Sequence, residues 1–149
     1  ERSWGGNAMY RLYRCSDDRW LALGGAEHKF ADNLLGALGR SDLAVLCQLP
    51  PGPGQDPVKA FLADTFAQRT LAQWTEFLQP LDVCWAPVKT LTEALDDPHT
   101  RARGMVWTAP DGGKHLGIPI RFANEPGRIN PHLDGIGEST AAVLAELGL

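Results

Sequence analysis

Two short apolar runs, Met9 to Cys15 (MYRLYRC) and Trp20 to Gly24 (WLALG), flank the polar residues Ser16-Asp17-Asp18-Arg19, and the second run ends in Gly24-Gly25. This stretch constrains the fold more than any other. Runs of this length around polar turn residues read as the two strands of a hairpin. The glycine pair stops the second strand. A helical pattern follows at once, with Phe30, Leu34, Leu35 and Leu38 on one face and Gly39 as its C-terminal stop. A hairpin feeding directly into a helix fits an α+β arrangement and not a doubly wound parallel sheet.

The remaining segments extend that reading. Leu49 to Asp56 (LPPGPGQD) is a loop, closed by Asp56 as a helix cap and Pro57 in the first helical turn. Val58, Phe61, Leu62, Thr65 and Phe66 then keep the spacing of one packed helical face. Thr70-x-x-Gln73 is a capping box opening a second helix with Leu71, Trp74 and Leu78 inward, ended by Pro80. Asp82 to Val88 (DVCWAPV) reads as a strand. Thr90-x-x-Glu93 opens a short helix with Leu91 and Leu95 inward, and Asp96-Asp97 before Pro98 marks its end. Met105 to Ala109 and Leu116 to Phe122 read as strands around the Asp111-Gly112-Gly113 turn. Asn124 to Gly137 is rich in Pro and Gly and reads as extended, and Ser139 caps a final helix carrying Val143, Leu144 and Leu147. That helix is expected to pack outside the small sheet. The expected fold is α+β: a small, mostly antiparallel sheet with inserted helices and an extended tail ending in a helix.

Composition excludes several function classes. The net charge is −4 and the 14 basic residues are scattered, so no basic stripe is available for nucleic acid. No apolar run approaches membrane-spanning length. Cys15, Cys47 and Cys84 are odd in number and far apart, which argues against a disulfide framework and suits a reducing, cytoplasmic compartment. The opening Glu1-Arg2-Ser3-Trp4, without a methionine, reads as a sign of truncation.

Few motifs carry chemistry. Pro51-Gly52-Pro53-Gly54-Gln55 lacks the Gly-Lys-Ser/Thr end of a phosphate-binding loop. His28, His99, His115 and His132 are too dispersed to indicate a metal site, so none is expected. Gly137-x-Ser139-x-Ala141 lacks the last glycine of a nucleophile elbow, and Ser139 reads as a cap. Trp20, Trp74, Trp85 and Trp107 are spaced as core residues. The junction Gly24-Gly25-Ala26-Glu27 holds more promise. Glycines let the backbone approach a ligand and adopt positive φ. The N–H groups opening the next helix can meet an anion or acyl oxygen, and a carboxylate there gains from the helix dipole. The structural alternative stays open: Glu27 steadies the first turn, Gly24-Gly25 makes a turn, and His28 faces solvent.

The ordered series of motifs resembles the small domain of class III CoA-transferases and their relatives. Tyr10 to Phe30, Phe66-Ala67-Gln68-Arg69-Thr70 with Trp74, and Asp82 to Val88 carry the first part of the resemblance. Glu93-Ala94, Asp97-Pro98-His99, Ala102-Arg103-Gly104-Met105, Pro119-Ile120-Arg121-Phe122 and Leu133 to Thr140 continue it, so that it spans Gly5 to Leu149. Within that family the Gly-Gly-Ala-Glu junction is most similar to the acyl-CoA racemases. The resemblance implies that residues 1–123 form the small domain and that 124–149 pack on a large domain outside this sequence. It implies a 2-methylacyl-CoA thioester as substrate, with α-proton removal and return by a His and an Asp of the large domain, and no cofactor. It makes Glu27 the catalytic-site residue, orienting that histidine across the interface of an interlocked homodimer. Gly24, Gly25 and Ala26 become substrate-binding backbone. Two positions depart from the family pattern. Ser139 stands where Gly-Glu-His-Thr would place a histidine, and His28-Lys29 follows the glutamate where proline and a small or polar residue are usual. A CoA-transferase working through an aspartyl acyl intermediate, and a non-catalytic interaction module, are the competing readings.

Overall fold

The computed structural model describes residues 4–130 and 135–149. The N-terminal Glu1-Arg2-Ser3, and His132 and Leu133 of the tail, lie outside the described residues. The chain divides into two compact units, Glu1–Val88 and Lys89–Leu149. The boundary expected between 123 and 124 falls inside the second of these.

The first unit opens with the hairpin. Strands β1 (Tyr10–Arg14) and β2 (Trp20–Gly24) pair antiparallel, with Tyr10 opposite Gly24 and Arg14 opposite Trp20. Asp18 closes the turn at φ 62°, a conformation that a short polar side chain tolerates. Strand β3 (Trp85–Pro87) adds to the other edge of β2, also antiparallel, with Ala22 opposite Ala86. It is shorter than the run Asp82 to Val88, with single bonds flanking it on either side, from the Gly24 N–H to the Cys84 carbonyl and from the Val88 N–H to the Trp20 carbonyl, each 2.9 Å.

The helices of this unit are α1 (His28–Ala37), α2 (Asp56–Phe66) and α3 (Leu71–Leu78). They bury the apolar faces read from the sequence: Phe30, Leu34 and Leu35 on α1, Val58, Leu62 and Phe66 on α2, and Leu71, Trp74 and Leu78 on α3. Gly39 stops α1 at φ 74°, and the Arg40 N–H returns to the Leu35 carbonyl at 2.7 Å. The Thr70–Gln73 capping box forms as expected. Asp17 of the hairpin turn also accepts from the Leu71 N–H at 3.2 Å, tying the turn to the start of α3. Tyr13 of β1, Cys15 just after it, and Leu21 and Leu23 of β2 are buried in the same core as these helices. Tyr13 meets Phe66 with ring centroids 5.2 Å apart, and Phe66 meets Trp74 edge-on at 4.9 Å.

One element is added and two local readings change. Ser41–Gln48 forms a 3-10 helix that buries Leu43 and Ala44, a piece without long periodicity to announce it. Asp56 is the first helical residue and not the cap, which is Gln55. The Gln55 side chain is fully buried, accepting from the Ala8 N–H at 2.8 Å and donating to the Leu49 carbonyl at 2.7 Å. It satisfies two backbone groups that the loop leaves without secondary-structure partners. Trp20 is 43% exposed, in contrast with Trp74 at 1%. Strand alternation puts it on the face away from the helices.

In the second unit, α4 (Leu91–Asp96) starts with the expected Thr90–Glu93 capping box, but Leu91 is 70% exposed and not inward. Asp97 then caps α5 (Pro98–Ala102), accepting from the N–H groups of His99 and Thr100. Strand β4 (Val106–Thr108) pairs with β5 (Lys114–Leu116), which shares only Leu116 with the expected run Leu116 to Phe122. The tight turn at Gly112, φ 89°, sets that register, and only the Gly117 N–H bond to Met105 follows before Pro119 removes a donor. Residues 124–130 hold no regular secondary structure, and α6 (Thr140–Glu146) follows Ser139, whose side chain makes no capping bond. Val143, Leu144 and Leu147 are exposed, and no described residue of this unit is buried.

The cysteines are free thiols: Cys15 buried, Cys47 half-buried and Cys84 exposed. Burial pushes the Cys47 thiol up to about 11, with Asp32 adding to the effect. Burial, then Asp17, also raises Cys15. A thiol reagent such as dithionitrobenzoate at pH 8 is expected to label one thiol fast, lost in Cys84→Ser, and the other two only with unfolding. The raised Cys47 pKa also has a sign. The unfolded thiol ionises from about 9 and the folded one from about 11, so stability falls as pH rises through that window. Rapid labelling of all three thiols at pH 8 would contradict this burial.

Candidate functional site

The Gly24–Glu27 junction is built by the hairpin and α1 together. Gly24 is the last residue of β2, and its N–H donates to the Cys84 carbonyl at 2.9 Å beside β3. Glu27 is the N-cap of α1 in an extended conformation (φ −78°, ψ 144°), and its side chain does not cap the helix. Neither glycine has positive φ, which corrects the conformational reason inferred from the sequence. Their requirements differ. A Cβ on Gly25 would lie 2.8 Å from the Cβ of Phe30, whereas one on Gly24 would meet nothing within 4 Å. Gly25 is therefore demanded by packing of the strand end against α1. The open space over Gly24 belongs to the outer face of the sheet.

Gly25 is buried, Ala26 half-buried, and Glu27 and His28 are exposed. Neither the Glu27 carboxylate nor the His28 ring is hydrogen-bonded or ion-paired to a described residue. Around them the helix start is fixed. Lys29 pairs with Asp82 at 3.3 Å and lies over the Phe30 ring at 4.5 Å, and Asn33 donates to the Asp82 carbonyl at 2.8 Å. The arrangement leaves an exposed carboxylate at a held backbone position. Proton transfer within it would need a second base.

Only Gly24 of the four junction residues lines the large cavity of this unit. That cavity has a volume of about 950 Å3 and lies on the outer face of the sheet, bounded also by Tyr10, Leu12, Ala22, Cys84 and Ala86. Sequence patterning did not point to it, although the alternation of β1 and β2 contained the signal: Tyr10, Leu12, Ala22 and Gly24 share the face opposite the core. His28 directly follows Glu27 as the first residue of α1, whereas His99, His115 and Ser139 belong to the second unit. Among the described residues, no group of His, Cys, Asp or Glu is arranged to hold a metal ion. No helix of the described residues is long and apolar enough to cross a membrane.

The two glycines can be separated by experiment. Gly25→Ala is expected to lower stability by roughly 1–3 kcal/mol, as overpacking against Phe30 does. Gly24→Ala is expected to be neutral or to add up to about 1 kcal/mol, because strand glycine is entropically unfavourable. Urea midpoints of the two variants check this, and equal losses would contradict it.

Comparison with known proteins follows the same lines. The model of CoA-transferase family III matches residues 2–140. The chain is 32% identical over 148 residues to the alpha-methylacyl-CoA racemase of Mus musculus and 31% identical over 149 residues to that of Homo sapiens. Each match covers 97% of this chain and 38% of the relative, so the chain spans well under half the length of these proteins. A CAIB/BAIF family protein from Brucella suis has the same fold, with a TM-score of 0.63 over 96% of this chain and 38% of that one, at 24% identity.

Proposed function

The chain belongs to CoA-transferase family III, and from that premise we propose that it is the small-domain portion of an acyl-CoA racemase or epimerase that interconverts 2-methylacyl-CoA stereoisomers. The observation that supports an isomerase is the similarity, along 97% of the chain, to two proteins named as racemases. In this reading the α-proton of the thioester is taken by one base, leaving an enolate. A second acid then returns a proton to the opposite face, and no atom is gained or lost. A thioester carbonyl needs hydrogen-bond donors for the enolate oxygen, and no redox cofactor.

Both bases belong to the upstream part of the whole protein. The task of this chain is then positional. Glu27, exposed and unengaged at the start of α1, accepts a hydrogen bond from the ring N–H of the catalytic histidine and so selects the nitrogen that faces the substrate. Gly24, Gly25 and Ala26 form the pocket wall behind it. The exposed Val143, Leu144 and Leu147 of α6 are the surface on which the tail packs against the large domain, in a cytoplasmic, interlocked homodimer.

The test uses the whole gene product in D2O with a 2-methylacyl-CoA and no carboxylic acid acceptor. Deuterium at C2 is the expected result. Thioester exchange that requires an added acid would instead assign a CoA-transferase. Neither reaction would leave a non-catalytic module.

A further inference from the structure

The second unit contains a cavity of its own, about 590 Å3, between β4 and the chain that follows β5. Trp107 and Ile118 are half-buried walls of it, and the exposed Ile120 and Ile129 extend them. Arg121 and Arg128 stand among these apolar side chains. Lys89, Arg101 and Lys114 of the same unit hold Asp97 or Asp96, whereas neither of these two guanidiniums is hydrogen-bonded or ion-paired to a described residue. Arg121 lies close against the backbone just beyond α5, where a Cβ on Gly104 would collide with its Nη2. The described lining contains no acid and no hydroxyl or amide side chain. The cavity is within the size range of small-molecule sites.

We propose that this cavity binds an amphipathic anion, a single carboxylate or phosphate head on a hydrocarbon body, with Arg121 and Arg128 holding the head. Charge selects the head. Two guanidiniums with no acid in the lining are satisfied by an oxyanion, which their forked N–H groups meet in pairs. The walls select the body. A nucleotide or sugar would bury hydroxyl and ring polar groups against side chains that cannot bond them. A hydrocarbon has no such groups and gains by leaving water. The inference uses no residue of the Gly24–Glu27 junction and does not rest on the acyl-CoA reading, so C2 exchange does not decide it.

The experiment titrates the full-length protein calorimetrically with decanoate, decyl phosphate, decanol and decyltrimethylammonium, each below its micelle concentration. At least one of the two oxyanions is expected to bind about tenfold or more tightly than the alcohol, and the ammonium no better than the alcohol. Arg121→Gln and Arg128→Gln alter exposed side chains and should leave the urea midpoint in place. Each is expected to weaken the bound oxyanion about tenfold while decanol stays within about twofold. An ω-bromo analogue of that oxyanion is expected to quench tryptophan fluorescence, and Trp107→Phe to remove most of the quenching. Binding of decanoate alone names a carboxylate as the ligand, and of decyl phosphate alone a phosphate ester. Oxyanion affinity unchanged in both arginine variants, or equal affinity for the anions and the ammonium, would overturn the proposal. Quenching that survives Trp107→Phe would place the ligand elsewhere and overturn it as well. No binding of any of the four would also overturn it, assigning the two arginines to contact with protein.

Discussion

Trp74→Ala is expected to cost about 3–5 kcal/mol, the range for removing a fully buried tryptophan. That is a large share of the stability of a domain this size. Trp74 is 1% exposed, between Phe66 at 4.9 Å and Phe77 at 5.5 Å, with the Arg69 guanidinium over its ring at 4.8 Å. Its indole N–H donates to the Phe66 carbonyl at 2.9 Å, at the end of α2. Alanine would open a cavity between α2, α3 and the sheet and leave that carbonyl without its buried donor. Trp20→Ala, by contrast, removes a 43% exposed ring from the outer face and is expected to cost about 1 kcal/mol or less. Urea unfolding of both variants, followed by far-UV circular dichroism, is the measurement. Equal losses would contradict the burial described for the two side chains.

Glu27→Gln in the full-length protein is expected to slow C2 exchange by a factor of about 100 or more. Groups that orient a catalytic or ligating histidine are worth about tenfold to 10⁴-fold when their charge or acceptor is removed. The side chain is exposed and makes no cap bond, so the same change should move stability by no more than about 1 kcal/mol, the helix-dipole contribution. A purely structural role would not alter the pH dependence. A carboxylate on a histidine favours the charged ring, so its loss lowers that histidine's pKa, and the histidine-dependent limb of the exchange profile should shift to lower pH. Undiminished exchange, or a slower rate with an unshifted profile, would remove Glu27 from this role.

Much of the first unit was legible in the sequence because its signals are local. The hairpin needs only apolar runs and a polar turn. The Thr70–Gln73 and Thr90–Glu93 capping boxes form within four residues, and Gly39 ends α1 through its own backbone freedom. These features depend on neighbours in the chain, so the sequence by itself determined them. It also made the Gly24–Glu27 junction stand out, and the order of motifs along the chain indicated the family.

Tertiary structure decided the rest, wherever the partner is distant. Gln55 is buried because it bonds residue 8, 47 positions away. Asp17 reaches Leu71, 54 positions on, so a turn residue also anchors a helix. Trp20 and Trp74 look alike as apolar residues, and only the side of the sheet on which each lands separates them. Leu91 continues a capping box yet finds no core to enter. The register of β4 and β5 followed the tight turn at Gly112, not the longer apolar run after it. At the junction, the sequence supplied two glycines and the fold separated them: Phe30 forbids a side chain at Gly25, while Gly24 opens onto the cavity on the outer face of the sheet. A local pattern can fix a turn or a cap, but burial and empty space are properties of surfaces that meet only after the chain has folded.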